Sequence, residues 1–454
     1  MRTPQATLLI VGLTVITACE PELVPLPDVI PLRPYVPPDP ATAAFHVTDS
    51  AGVTVVHNGA FGAWGSALIE PTKVRTIGVR EGDTELALSD ISDIALRADG
   101  DVLVAAGARG VIHEFDAEGA FVRVLGGEGH AAGMRTAANR GGGPGEFIVV
   151  ESLWLAGDTL VALDPIERRT TAFDGQGQLL ATWSDLDGRE WVRPVTRGPA
   201  GWIAEVGRAA IQLPPGSPAR PPLPPARRLH VFDSTSVSAG ELVLEIPMQE
   251  QYPATEFRGS YELPLFAVAP AVAFDARGRI YVTSSTGYQV DVHAPTGALL
   301  RRITRDHEPV PVGPGDVDRL LAFVEDVMAR DSVLRAYSSF LARNVTGRAE
   351  RGYDATLPPL GRMLVDSRGA FWVERADAPE PGLRDMDRLV TRQPLPLPTR
   401  WDLFDGEGRF LGTVETPPYF YGMAVDGAEI TGVERDEYLV EYVVTYRAAR
   451  PGGS

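Results

Sequence analysis

The sequence predicts an all-β protein, a six-bladed β-propeller, and three observations carry that prediction. Beyond Phe45, short runs of β-branched and aromatic residues are punctuated by Gly and Asp, the pattern of strands joined by tight turns. Two kinds of turn alternate along the chain, which implies four antiparallel strands, a to d, in each unit. The units recur every roughly 40 to 60 residues, the period of a propeller blade. A chain of 454 residues is too long for one simple core, and a closed ring of small sheets accommodates that length.

The segment before the ring reads as an address. Met1-Arg2 is basic, and residues 6–16 form an apolar run too short to cross a bilayer of about 30 Å as a permanent helix. The run ends in Ile16-Thr17-Ala18-Cys19, which resembles the bacterial lipobox, and Cys19 is the only cysteine in the chain. Residues 1–18 are therefore expected to be a lipoprotein signal peptide, with Cys19 the lipidated residue. Glu20, where an Asp favours inner-membrane retention, points to the outer membrane. Residues 19–44 carry eight prolines and should form a semi-stiff tether of about 3 Å per residue.

The first kind of turn joins strands a and b. It occurs at Asp99-Gly100, Gly157-Asp158, Gly198 to Gly201, Asp275 to Gly278, Asp366 to Gly369 and Asp426-Gly427. The Gly supplies a positive φ and the Asp bonds its own backbone. The second kind joins c and d at Phe115-Asp-Ala-Glu-Gly119, Phe173-Asp-Gly-Gln-Gly177, Phe404-Asp-Gly-Glu-Gly408, a longer Phe232 to Gly240 version, and a degenerate His293-Ala-Pro-Thr-Gly297. There is one fewer c–d turn than a–b turns. The last unit, residues 420–447, has strands for a, b and c only, so residues 74–79 are expected to supply its fourth strand and close the ring. Residues 53–57 should add to a blade edge. The propeller thus spans residues 45–447, with 448–454 a disordered tail.

In such blades both turn types lie on one face, and the b–c and d–a connections lie on the other. The long segments all belong to that other face: residues 126–146, 207–227, 306–357 and 376–399. Long loops on a rigid scaffold carry function, so this face is the expected binding face. The 306–357 insertion, between blades four and five, is partly helical: residues 316–341 place Val317, Leu320, Leu321, Val324, Val327, Met328, Leu334 and Leu341 at spacings near three and four, after Gly313-Pro314-Gly315.

The Asp-Gly hairpins, the Phe-Asp-x-x-Gly turns and Gly141-Gly-Gly-Pro-Gly-Glu-Phe147 resemble NHL-type six-bladed propellers, and more narrowly the bacterial secreted six-bladed propeller lipoproteins. The resemblance covers nearly all of residues 45–447. It implies the fold and not an activity, because propellers host enzymes, receptors and scaffolds alike.

Composition removes several function classes. A net charge of -18 argues against nucleic acid as a partner, and one cysteine excludes disulfides and Cys-rich zinc sites. Lys73 is the only lysine, leaving one candidate for Schiff-base chemistry. The seven His are scattered, the three Asn (Asn58, Asn139, Asn344) do not start inner strands, and Asp90, Asp93 and Asp426 read as turn or solvent carboxylates. No catalytic residue, metal site or cofactor is therefore assigned. Candidate ligand-binding residues are the aromatic and guanidinium groups near inner-strand entrances: Trp191, Arg193, Tyr252, Tyr261, Tyr353, Tyr419 and Tyr421, with Trp183 beside them. The expected function is a lipid-anchored, non-catalytic envelope propeller binding a protein, peptide, glycan or other extracytoplasmic ligand. Two alternatives stay open, a secreted metal-dependent lactonase-like hydrolase or lyase with its site at the channel mouth, and a structural subunit of an envelope complex.

Overall fold

The computed structural model of the chain describes residues 32–37, 45–80, 82, 86–126, 145–167, 169–184, 190–198, 201–208, 226–232, 240–247, 249, 252–253, 261–330, 338–378, 397–438 and 440–451. The signal segment, Cys19, most of the Pro-rich stretch and most of three of the four long loops lie outside these residues.

Six blades form a ring, each with four antiparallel strands in the order a-b-c-d. Blade one is Ile91–Leu96, Val102–Ala106, Val111–Phe115 and Phe121–Leu125. Blade two is Ser152–Ala156, Thr159–Asp164, Arg169–Phe173 and Leu179–Ser184. Blade three is Glu190–Gly198, Gly201–Arg208, Ala226–Phe232 and Glu241–Pro247. Blade four is Val272–Phe274, Ile280–Thr283, Gln289–His293 and Leu299–Arg305. Blade five is Leu360–Val365, Phe371–Arg375, Thr399–Phe404 and Phe410–Thr416. Blade six takes Phe420–Asp426, Glu429–Arg435 and Glu441–Arg447 from the C-terminal end, and its outer strand is Thr72–Ile77. That closing strand lies two residues ahead of the expected 74–79, and Gly78, at φ 118°, turns the chain out of the ladder just after Ile77.

The N-terminal portion does more than close the ring. Val53–Asn58 pairs in parallel with the outer strand of blade four, and Phe45–Ser50 pairs with Val53–Asn58, making that blade six-stranded. Ala63, Trp64 and Ile69 bond the main chain of Phe410–Thr416, lining the outer edge of blade five. Residues 32–37 dock there too: the Arg33 N–H donates to Ala378 O (3.2 Å), Arg400 donates to Arg33 O (2.7 Å), and the Tyr35 hydroxyl donates to Ser66 O (2.9 Å). One continuous stretch of chain therefore stitches blades four, five and six from outside. At the other end Ala448, the first residue of the expected tail, is buried and donates to Ala428 O (2.9 Å).

The core lies between blades rather than within any one. Apolar clusters occupy each junction, for example Leu103, Ile112, Phe147 and Leu160 between blades one and two, and Trp372, Trp401, Phe420 and Ile430 between five and six. The c–d turns lock the junctions. Asp116, Asp174 and Asp405 each accept two main-chain N–H groups within their own turn, at 2.7–3.1 Å. The fifth residue must be Gly for two reasons, seen best at Gly297. Its φ is 83°, and a Cβ there would fall on the Val243 carbonyl oxygen of blade three's outer strand. The degenerate His293-Ala-Pro-Thr-Gly297 turn thus keeps the one residue the junction cannot do without.

Candidate ligand-binding face

Because every blade runs a-b-c-d antiparallel, the strand ends that enter the four long insertions all emerge on the same face. One insertion is largely described, and it covers part of that face with two helices, α1 (Pro314–Arg330) and α2 (Ser338–Glu350). Asp316 nucleates the first by accepting the Gly313 N–H (2.7 Å) at its start. The second helix runs nine residues past the end of the apolar periodicity. Tertiary contacts extend it: Val345 is buried with Leu320 against Leu265 and Phe266, and Arg348 donates to the Leu263 and Pro264 carbonyls at 3.0 and 2.9 Å. The helices therefore sit on the connection between blades three and four.

Beside them a cleft of about 460 Å³ opens between the outer strand of blade three and the b–c edge of blade four. Leu244, Ile246 and Val282 supply its apolar part; Ser284, Ser285, Thr286, Gln249, Gln289, Asp291, His293 and Glu245 supply the polar part. Asp291 is held by Arg302 through two bonds of 2.8 and 2.9 Å, and Glu245 by Arg228 at 2.9 Å. The Gln249 amide donates to Asp354 just beyond α2, tying the helical insertion to the rim.

The next junction, between blades four and five, is closed by charge. Asp402 is fully buried and accepts from Tyr288 (2.5 Å), Arg305 (2.5 Å) and Thr413 (2.6 Å), with Arg375 at 3.9 Å. Arg375 is bidentate to Asp377 at 2.8 Å, and His307 lies 3.6 Å from the same carboxylate. Burial pushes the Asp402 carboxyl up, but Arg305 and Arg375 outweigh it, helped by the Thr413 and Tyr288 hydrogen bonds, and hold it below the ordinary carboxylate value. Burial, helped by the cations Arg375 and Arg305 and opposed by Asp377, depresses His307 below its usual value. Tyr288 is raised well above the phenol value by burial and by Asp402, so it stays a donor.

The central channel is a second cavity, of about 590 Å³, lined mainly by apolar inner-strand residues such as Leu96, Leu155, Phe274, Met363 and Val425. Most of its carboxylates are engaged by the frame. Asp93 accepts from Ile94 N (2.9 Å) and Leu153 N (2.8 Å), bridging blades one and two. Asp275 and Asp366 each cap an a–b turn through its main-chain N–H groups, and Glu205 is bidentate with Arg227 at 2.7 Å. Asp158 stands exposed at the rim. Arg227 also donates to Pro270 O (2.7 Å), joining blades three and four at the channel wall. Outside the channel, Asp426 pairs with Arg368, and the Asp90 carbonyl accepts the Gly107 N–H.

The sequence-predicted binding residues are not gathered in one place. Tyr353 packs edge-on to Phe266 at 5.5 Å, under the helices. The Tyr421 ring lies beneath the Arg362 guanidinium at 3.8 Å, and Tyr419, at φ 62°, immediately precedes the same strand. Tyr252 and Tyr261 share a two-stranded hairpin, and Trp191 and Arg193 lie opposite Gly207 and Glu205 in blade three; the side chains of these four lie outside the described residues. Trp183 packs on Trp202 at 5.1 Å, joining blades two and three. The cleft residues carry no motif; a Ser-Ser-Thr tract at a b–c turn was their only signal. A clearer missed signal is structural: four residues after the c–d turn Gly stands Arg123 or Arg301, and each reaches carbonyls of the next blade's c–d turn, as Arg75 does across the ring closure.

No helix among the described residues is long and apolar enough to cross a membrane. No protein-family model and no curated protein sequence matches the chain. Solved structures do. A protein described as exported from Bacteroides fragilis is 9% identical over 87% of this chain and 99% of its own, with a TM-score of 0.44. A DUF4221 family member from Bacteroides vulgatus is 10% identical over 84% and 98%, at 0.47. A gluconolactonase of Xanthomonas campestris is 12% identical over 84% and 98%, at 0.34. At such scores the functional reading rests on the residues of this chain.

Proposed function

We propose that this chain is a non-catalytic propeller of the cell envelope, anchored through a lipid on Cys19, that binds an extracytoplasmic ligand on its b–c/d–a face. The observation that carries the reading is convergence. The helical insertion, the rim residue Gln249 and the Ser284–Thr286 end of the polar cleft between blades three and four meet on the face to which all the long insertions belong. The reading rests on that face and not on the channel, where Asp93, Glu205, Asp275 and Asp366 serve the frame through main-chain N–H groups or a guanidinium. The docked residues 32–37 leave residues 20–31 as the span between a lipid at Cys19 and the disc, about 37 Å at 3.1 Å per residue if fully extended as polyproline II.

The test uses the acylated full chain, in which Cys19 has no free thiol. Ser285→Cys on the loop face and Glu118→Cys on the turn face each carry a benzophenone, and envelopes are irradiated. Adducts from Ser285→Cys and none from Glu118→Cys are expected, with acyl labelling abolished by Cys19→Ser. Adducts only from the turn face, or labelling that survives Cys19→Ser, would refute the respective half of the reading.

A further inference from the structure

The helical insertion leaves the disc through a narrow root, and a histidine sits in that root. Asp306 is pinned to the N-terminal portion: its N–H donates to Asn58 O (2.9 Å), and its carboxylate lies 3.3 Å from His57 Nε2. A few residues on, Val310 and Val312 pair with Leu357 and Ala355 through main-chain bonds of 2.8 Å, forming the neck that carries α1 and α2. His307 lies between the pin and the neck. Its side chain, only 11% exposed, faces Asp377 at the root of another long loop, where Ala376 donates to Pro359 O (3.0 Å) and Ala378 accepts the Arg33 N–H. The roots of the insertion and of the blade-five loop, and the docked residues 32–37, thus meet beside His307.

Among the described residues, the charged groups facing the ring are Arg375 and Asp377 at the end of blade five's second strand, Asp402 on its third, and Arg305 on the outer strand of blade four. Tyr288, its ring centroid 5.9 Å away, and Tyr35 of the docked segment add phenols that burial keeps protonated; Asp306 and Glu308 flank the ring, exposed. Two guanidiniums balance two carboxylates, so a neutral ring completes an uncharged cluster and a proton would leave one positive charge over. An imidazolium would also have two N–H groups to satisfy. Nδ1 is 3.6 Å from Asp377, beyond hydrogen-bond range, and that carboxylate already takes two bonds of 2.8 Å from Arg375. Nε2 is buried with no partner among the described residues. A charge so placed is costly, and opening the root to water removes the cost. At the pin the sign is opposite, because a protonated His57 tightens on Asp306; the hinge therefore falls between 306 and 310. We infer that His307 is an acid-sensitive latch on the helical insertion: its neutral ring lets the neck close beside blade five, and its protonation raises the population in which α1 and α2 stand away from the loop face. Gln249 bonds Asp354 beside the neck, so opening also frees the rim of the cleft between blades three and four. The consequence for ligand binding rests on the loop face being the binding face.

The test is hydrogen exchange read by mass spectrometry on the full chain at pH 7.5 and 5.5, each rate corrected for the intrinsic pH dependence of amide exchange. In the native chain, peptides covering 310–325 and 343–357 should open about three- to tenfold more at pH 5.5, about tenfold being the limit for one proton over the pH unit below the ordinary histidine value of 6.5. Peptides of blades one and two should not change. His307→Gln, neutral at both pH values, should remove the difference; His307→Asn repeats the test with a smaller neutral side chain; and His57→Gln should leave the difference in place. The latch is overturned by equal exchange at the two pH values, by a difference that survives both neutral variants or vanishes in His57→Gln, or by a rise shared by every blade, which would be general acid unfolding. The readout needs no ligand, so a latch without loop-face crosslinks would remove only the binding reading, and crosslinks without a latch would remove only this inference.

Discussion

The two neighbouring junctions of blade four solve the same packing problem in opposite ways. Between blades four and five, Tyr281, Tyr288, Phe371, Phe404 and Phe410 fill the gap, Asp402 with Arg305 and Arg375 neutralises its buried charge, and the strand of residues 53–58 covers the outside. Between blades three and four, the buried apolar set is smaller among the described residues, Ile203, Leu229, Ile246, Ile280 and Val282, and the space beside it is open and polar. Among the described residues, no outer strand from the N-terminal portion reaches that side. A junction that is filled, neutralised and covered has become structure; one that is left open and polar is where a ligand can do the filling.

The comparison predicts unequal mutational costs, beginning with the largest. Asp402→Ala leaves Arg305 buried without its carboxylate and should lower unfolding free energy by about 3–5 kcal/mol in denaturant titration. The matching lesion at the open junction, Asp291→Ala, breaks a pair whose arginine is 42% exposed and should cost about 1 kcal/mol or less. Equal costs would mean that the two junctions do not differ as described. Next in size is Arg301→Ala, which removes charge-assisted bonds to Gly406 O (2.8 Å) and Glu407 (2.6 Å) in the next blade and should cost about 1.5–3 kcal/mol. The blade-three counterpart Leu244, four residues after Gly240, makes no such link, so Leu244→Ala should leave the ring's cooperativity in denaturant unchanged.

The smallest effect is on pH. His307 has a depressed folded value, so below its ordinary 6.5 the unfolded chain binds a proton that the folded one refuses. Its contribution to stability is complete above pH 6.5 and is lost as pH falls from there through the folded value. Thermal melting of the native chain should therefore drop between pH 7.5 and 5.5 more steeply than that of His307→Gln; parallel curves would assign the titration elsewhere.

The c–d turns were legible because each does its work within a few residues: an Asp that bonds its own turn and a Gly that must be left-handed leave a local mark, as at Asp174 and Gly177. The Arg at the fourth position after that Gly is equally local, yet an exposed-looking Arg in a strand carries no mark of the carbonyls it will meet. The second half of α2 was illegible for a different reason. Residues 342–350 are held helical by Val345 and Arg348 contacting Leu263 to Phe266, some 80 residues earlier in sequence.

The sequence by itself determined the number of blades, the alternation of turns, the need for an N-terminal strand to complete the sixth blade, and the face to which the insertions belong. All follow from period, turn chemistry and strand parity, which are short-range. Tertiary structure alone decided which junction is sealed and which is open. Arg305 and Tyr288 lie 97 and 114 residues along the chain from the Asp402 carboxylate they meet, and Ile246, Ser284 and Gln289 line one cleft only where blades three and four fail to close on one another. Complementarity between distant side chains leaves no periodic trace, so the ring could be read from the sequence and the cleft could not.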